Sequence, residues 1–291
     1  MYGPDGEKYI DLISGVSVSN TGHRHPKVVE AVKQQLDHYM HLMVYGEMIQ
    51  SPQVRYAERL TGLLPKCLDV CYFVNSGSEA IEGAIKLAKK FTGRSRIISF
   101  RNSYHGSTHG ALSIQGSELY KTAFRPLLPD TLQIGFNDFN ALDNIDDHTA
   151  CVVIEPVQAE AGVIYPATGF LEELRKRCSE KGALLVFDEV QTAFGRIGKM
   201  FAIDRFGIVP DILVLAKAIG GGMPLGAFIS SGKIMSVLSS NPQLGHITTF
   251  GGHPVAAQQV SHLLKLSWRK NCRRNAKENQ DLLKQTWCIL L

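Results

Sequence analysis

Apolar positions early in the chain recur at three- and four-residue intervals, the spacing of a helix face turned toward a core. Pro26 sits at the first position of a helix predicted to reach about Met40, with Val28, Val29, Val32 and Leu36 on one face. Ser51-Pro52 opens a second helix in the same way, and Pro65 ends it. From Val70 the pattern changes to short apolar runs. Strands are predicted at Val70–Val74, Arg96–Phe100, Thr131–Ile134, Cys151–Glu155, Leu184–Asp188, Ile212–Ala216 and Ala227–Ser230. Between them the pattern predicts helices from Ser76 to Phe91, closed by Gly93, near 106–115 and at about 169–181. Residues 1–25 read as loop and short strand. Apolar strands alternating with helices predict an α/β fold with a mostly parallel sheet covered on both faces. Ligands of such sheets lie beyond the C-terminal strand ends. The residues there are the functional candidates.

One of those ends stands apart. The run ILVLAKAIGGGMPLGA, Ile212 to Ala227, carries a single lysine, Lys217, at the end of an apolar strand. Partial desolvation lowers a lysine pKa and frees the amine as a nucleophile, which suits a Schiff base with a carbonyl such as that of pyridoxal phosphate. The alternative is a lysine that snorkels into solvent. After Val74 comes Asn75-Ser76-Gly77-Ser78-Glu79, either an anion cradle at a helix N-terminus or a plain serine cap. After Phe100 comes Tyr104-His105-Gly106, whose aromatic could stack on a flat heterocycle or pack in the core. After Phe187 comes Asp188-Glu189-Val190-Gln191; a buried aspartate there needs a cationic or hydrogen-bonding partner, and a pyridine nitrogen, a helix cap or a metal would each serve. Together these are the parts of a pyridoxal phosphate site: phosphate cradle, ring stack, ring-nitrogen carboxylate and lysine.

Charge and composition remove other classes. The 291 residues, 44% hydrophobic, suit one large domain with or without a satellite. The net charge of +4 is concentrated in Gln258–Leu291, which holds seven bases against two acids; the preceding 257 residues hold 24 against 25. A body so close to neutral shows no nucleic-acid footprint. No run approaches the ~18 apolar residues of a membrane span, and MYGPDGEKYIDL lacks a signal-peptide layout, so a cytoplasmic location is expected. The six cysteines show no zinc or haem spacing, and reduced thiols are expected. No metal site is predicted: His105 and His109 are four apart, but residue 106 is Gly where a metalloprotease places Glu, and His23 and His25 have no third ligand.

The stretches YIDLISGVSVSNTGHRHPKV, NSGSEAIEGAIKLA, YHGSTHGALS, EPVQAEAG, LLVFDEVQTAFGRIGKM, PDILVLAKAIGGGMPLGA and TTFGGHPVAA resemble, in family order from residue 1 to about 257, the class III pyridoxal-phosphate-dependent aminotransferases of the acetylornithine and ornithine type. The resemblance implies a fold-type I, aspartate aminotransferase-like large domain. It implies that Lys217 holds the cofactor and shuttles a proton, and that Asp188 pairs with the pyridine nitrogen. By the same resemblance Val190 and Tyr104 lie on the two ring faces, Gln191 reaches the phenolic oxygen, and Gly77 and Ser78 bind phosphate. His105 and Glu155 belong to the cofactor set, Thr249 comes from the partner subunit of a homodimer with shared active sites, and Glu160 matches a substrate-gating position. The reaction implied is ping-pong transfer from an amino donor to a 2-oxo acid such as 2-oxoglutarate.

The chain also departs from the family. Many acetylornithine-type members carry Arg after the aromatic-His-Gly, where this chain has Ser107. The family's C-terminal small domain, with its carboxylate-binding arginine, is expected to be largely missing. The domains expected are an N-terminal segment 1–45, a cofactor-binding domain 46–257 and an atypical basic tail 258–291, the last expected to be an out-of-frame read. Two alternatives stand beside transamination: an aminomutase or decarboxylase of the same superfamily, and a truncated, inactive cofactor-binding chain.

Overall fold

The computed structural model describes residues 1–43 and 48–263. Seven strands, β1 (Val70–Val74), β2 (Arg96–Phe100), β3 (Thr131–Ile134), β4 (Thr149–Ile154), β5 (Leu184–Asp188), β6 (Ile212–Leu215) and β7 (Gly226–Ser230), form one sheet in the order β1-β7-β6-β5-β4-β2-β3. The pairs from β6 through β5, β4 and β2 to β3 are parallel, and β7 runs antiparallel to both β1 and β6. The reversal has a simple cause. A parallel pair needs a crossover of about a dozen residues or more, whereas residues 216–225 between β6 and β7 hold only a 3-10 turn over Lys217–Gly220. The chain must fold straight back.

Side-chain alternation sends the strands' apolar residues to two faces. Leu185, Phe187, Leu213 and Leu215 join the core beneath α3 (Ser51–Thr61), α6 (Phe170–Lys181) and α9 (Pro254–Leu263). Val186, Ile212, Val214 and Phe228 pack on the other face against α4 (Gly77–Thr92). The central strands β4, β5, β6 and β7 are buried along their whole length, which is why they read as continuous apolar runs. The remaining helices are short apart from α2 (Pro26–His38), which packs on α9: α1 (Ser14–Ser17), α5 (His109–Ser113), α7 (Ala202–Phe206) and α8 (Gly232–Met235).

α4 lies close enough to the sheet that one glycine is required. A Cβ on Gly83 would stand 2.3 Å from Phe228 Cε1. Alanine in a helix gains about 1 kcal/mol in propensity over glycine, but overpacking a core costs about 1–3 kcal/mol. Gly83→Ala is therefore expected to lower the urea midpoint of unfolding; a midpoint at or above wild type would contradict this contact.

Several boundaries differ from the sequence reading. α2 stops at His38, not Met40, because Tyr39 is extended and its carbonyl accepts from Gln35 Nε2 at 2.9 Å. β4 starts at Thr149 and ends at Ile154, leaving Glu155 just beyond the strand. The helix expected near 106–115 is confined to His109–Ser113, since the preceding residues are drawn into hydrogen bonds described below. α9 runs through the expected boundary at 257/258, and the rest of the basic tail lies outside the described residues. Among the described residues no helix is long and apolar enough to cross a membrane, and no group of three or more His, Cys, Asp or Glu is placed to hold a metal.

Candidate active site

The C-terminal ends of β1, β2, β4, β5 and β6 converge on a cavity of about 380 Å³. Lys217, Asp188, Gly77, Ser78, Tyr104, His105, Glu155, Val190 and Gln191 all line it. Nine residues predicted from five separate stretches thus meet in one place.

At the floor, Asp188 ends β5 and is 4% exposed. His105 Nδ1–H donates to its Oδ2 at 2.7 Å, and the Val190 N–H donates to its Oδ1 at 3.1 Å. Both carboxylate oxygens are oriented while each keeps acceptor capacity toward the cavity. His105 is buried, and its Nε2 has no partner among the described residues. Glu155 stands beside this pair. Its oxygens accept from the N–H groups of Tyr104 (2.8 Å) and Ala159 (3.2 Å), fixing the loop after β2 to the end of β4. Burial pushes its carboxyl up to about 6, and the Asp188 charge pushes the same way against the opposing influence of His105.

Lys217 follows β6 in the left-handed region at φ 52°. A non-glycine residue there holds strain of about 1–3 kcal/mol, a cost that clusters at functional sites. Burial lowers its pKa, while the carboxylates of Asp188, Glu160 and Glu155 oppose the shift. Part of the amine population is thereby made available as a neutral base.

α4 begins at Gly77 with Ser76 as its cap, the Ser76 Oγ accepting from the Glu79 N–H at 3.2 Å. The serine cap of the sequence reading is present, and the first turn of α4 borders the cavity, where the positive end of its dipole lies. Ser78 Oγ accepts from the Ser107 N–H at 3.3 Å, tying the loop after β2 to this terminus. Gly106 is forced by that contact. Its φ is 122° and a Cβ would lie 2.1 Å from Ser78 Oγ. A Cβ on Gly77 would press against Val190 at 3.2 Å. One turn further, Glu82 Oε1 accepts from Thr108 Oγ1 (2.6 Å) and the N–H groups of Gly110 (2.8 Å) and Ala111 (3.2 Å), holding the same loop from below.

Two predicted residues lie outside the cavity wall. Gln191 Nε2 donates to Glu160 Oε1, which joins Glu160 to the site through one side chain. Thr249 is exposed and does not line the cavity of its own chain. Sequence reasoning gave no role to Val18 or to Met223, Pro224 and Leu225, which complete the wall. Their signal was present in the stretches SGVSVSN and GGGMPLG, but nothing in a spacing says that an apolar residue faces a cavity and not the core.

Behind Asp188, Glu189 is fully buried. Its carboxylate accepts from the Ala202 N–H (2.6 Å), the Ile203 N–H (3.2 Å) and Thr192 Oγ1 (3.2 Å), anchoring the loop from β5 to α7. Burial pushes this carboxyl up to about 7 despite those donors. A folded-state value above the unfolded ~4.3 means the native state binds the extra proton. The stability Glu189 contributes is then full below about pH 4 and lost as pH rises through about 7. Glu189→Gln is expected to flatten the stability–pH profile over that window; an unchanged slope would refute the assignment.

A carboxylate held by two donors, a half-buried lysine on a strained turn, and a helix N-terminus cleared by two glycines thus meet in one cavity of an α/β fold. The comparisons give the family. The aminotransferase class-III model matches residues 1–287, and this chain belongs to that family. It is 44% identical to acetylornithine aminotransferase of Methanopyrus kandleri over 259 residues, 88% of this chain but 65% of that protein, so the chain spans just under two thirds of this relative's length. Adenosylmethionine-8-amino-7-oxononanoate aminotransferase of Methanocaldococcus jannaschii superposes with a TM-score of 0.90 at 30% identity, covering 98% of this chain and 70% of that one. An amine transaminase from an uncultivated Pseudomonas species, in its PLP-bound internal aldimine form, gives 0.89 at 29% identity, covering 98% and 72%. The fold is that of the fold-type I transferases, and pyridoxal phosphate is the cofactor that family and neighbour support.

Proposed function

We propose that this chain catalyses pyridoxal-phosphate-dependent transamination, moving an amino group from an amino acid or ω-amino donor of the acetylornithine and ornithine kind to a 2-oxo acid such as 2-oxoglutarate. The observation that carries the reading is the convergence of Lys217, the Asp188–His105 pair and the α4 N-terminus on one cavity. When bound, the cofactor supplies a ring that stabilises negative charge developing on the substrate's α-carbon. The chain's own residues do the rest. Asp188, oriented by His105 Nδ1 and the Val190 N–H, offers a carboxylate to a protonated ring nitrogen. The first-turn N–H groups of α4, with Gly77 and Ser78, hold the phosphate. Val190 and Tyr104 confine the ring, and Gln191 orients its edge. Lys217 Nζ, made less basic by burial, takes the α-proton and returns it.

A homodimer with shared sites is part of the proposal, supported by the exposed position of Thr249 outside its own chain's cavity. Ser107 stands where many acetylornithine-type members have Arg, and its Oγ lies 3.4 Å from the Tyr104 hydroxyl. That leaves the donor to be fixed by assay. Purified protein is loaded with pyridoxal phosphate, and its visible absorbance is followed on adding acetylornithine, ornithine or glutamate. A band that bleaches with donor and returns only with a 2-oxo acid is expected. Turnover without any 2-oxo acid would replace transamination by aminomutase or decarboxylase chemistry, and a band indifferent to every donor would sink the activity.

A further inference from the structure

The proposed substrates raise an electrostatic problem that the cavity residues do not solve. Amino donor and 2-oxo acid each bring at least one carboxylate, yet the side chains whose charges act on Lys217 include three carboxylates, Asp188, Glu160 and Glu155. A substrate anion entering this field needs a cation of its own. Resting on the transamination reading, we propose that Arg196 is the subsite that receives a substrate carboxylate.

Three observations place it. Phe194 (φ 60°) and Gly195 (φ 91°) are consecutive left-handed residues, and the turn they begin closes through the Gly198 N–H to Gly195 O at 3.0 Å. Arg196 follows Gln191 by five residues and, exposed and just outside the cavity wall, bonds to the N-terminal segment that carries Val18; Gln191 and Val18 both line the cavity. There Asn20 bridges: its Nδ2 donates to Phe194 O at 3.0 Å, and its Oδ1 accepts from Arg196. Among the described residues Asn20 is the guanidinium's hydrogen-bond partner, and no carboxylate forms an ion pair with it. The contrast with Arg96, Arg125, Arg175 and Arg177, each paired to a carboxylate, is plain. One neutral acceptor orients the fork and leaves donors for a bidentate carboxylate. The guanidinium is also partly desolvated, burial lowering its pKa, and it acts on Lys217 as a like charge. An exposed cation without a carboxylate partner among the described residues, oriented by one neutral acceptor and in electrostatic reach of the reacting amine, is poised for an anionic ligand.

The test uses the cofactor-loaded protein and glutarate, an unreactive dicarboxylate, as probe. Calorimetric titration is expected to show binding to wild type, at least tenfold weaker binding to Arg196→Met, and partial recovery in Arg196→Lys. Asn20→Ala separates a clamp from a subsite. If Arg196 only ties down the N-terminal segment, Asn20→Ala and Arg196→Met lose glutarate equally and Arg196→Lys recovers nothing, which overturns the proposal. Equal glutarate affinity in wild type and Arg196→Met overturns it as well, as does a wild type that takes up cofactor but no glutarate. The visible cofactor band reads the underlying function separately: its absence from wild type counts against the transamination reading, and its presence with unchanged glutarate binding counts against Arg196 alone.

Discussion

Lys217→Ala is expected to abolish the visible band of the cofactor-loaded protein and to lower transamination by ~10²–10⁴-fold or more, the range for removing a positioned general acid–base. The amine is the one group at the end of β6 able to bond covalently to a carbonyl and to move a proton at the α-carbon. Alanine inherits the left-handed backbone at φ 52° without the amine that justifies it. It also leaves Asp188, Glu155 and Glu160 without the cation they face, so the Glu155 carboxyl should titrate above its value of about 6. Absorbance and steady-state rates measure the first effect, and a pH titration of the protein's spectrum measures the second. Full activity in the variant would remove Lys217 from the mechanism.

The second large effect falls on Asp188→Asn. The side chain keeps its shape, and its Oδ1 can still accept from the Val190 N–H, bonded at 3.1 Å in the wild type. What is lost is the negative charge opposite the ring nitrogen and the charged acceptor for His105 Nδ1, now at 2.7 Å. A charge-assisted hydrogen bond contributes about 1.5–3 kcal/mol, so the rate should fall by roughly 10- to 200-fold. Because the Asp188 charge helps to raise Glu155, the Glu155 carboxyl should at the same time move down from about 6. A slower enzyme whose Glu155 titration stays put would mean that the two carboxylates are not coupled as the structure has them.

Much of this site could be read before the fold was known, and the reason is local. Strands β1, β2, β3 and β5 fall where the apolar runs predicted. β2 and β5 are interior strands and must be apolar because both of their faces are covered, while β1 and β3, the partly buried edges of the sheet, keep the same apolar pattern on the face turned to the core. Gly106, Asp188 and Lys217 announce themselves because each is an awkward residue at a strand end, a glycine, a buried acid and a buried base. The antiparallel setting of β7 was not legible. It depends on a connection too short for a crossover, which only the pairing reveals. Arg196 was equally silent, since an arginine in a glycine-rich loop looks like any solvated cation until its partner is seen to be an amide 176 residues away.

The sequence by itself determined the α/β class, the approximate places where its strands end and the residue types expected of a pyridoxal phosphate site, since periodicity and desolvation cost act over neighbouring residues. The tertiary structure alone decided that five strand ends share one cavity, that His105 orients Asp188, and that Gly106 must be bare to let Ser78 approach. Those are distances between residues far apart in the chain, and no local pattern encodes a distance.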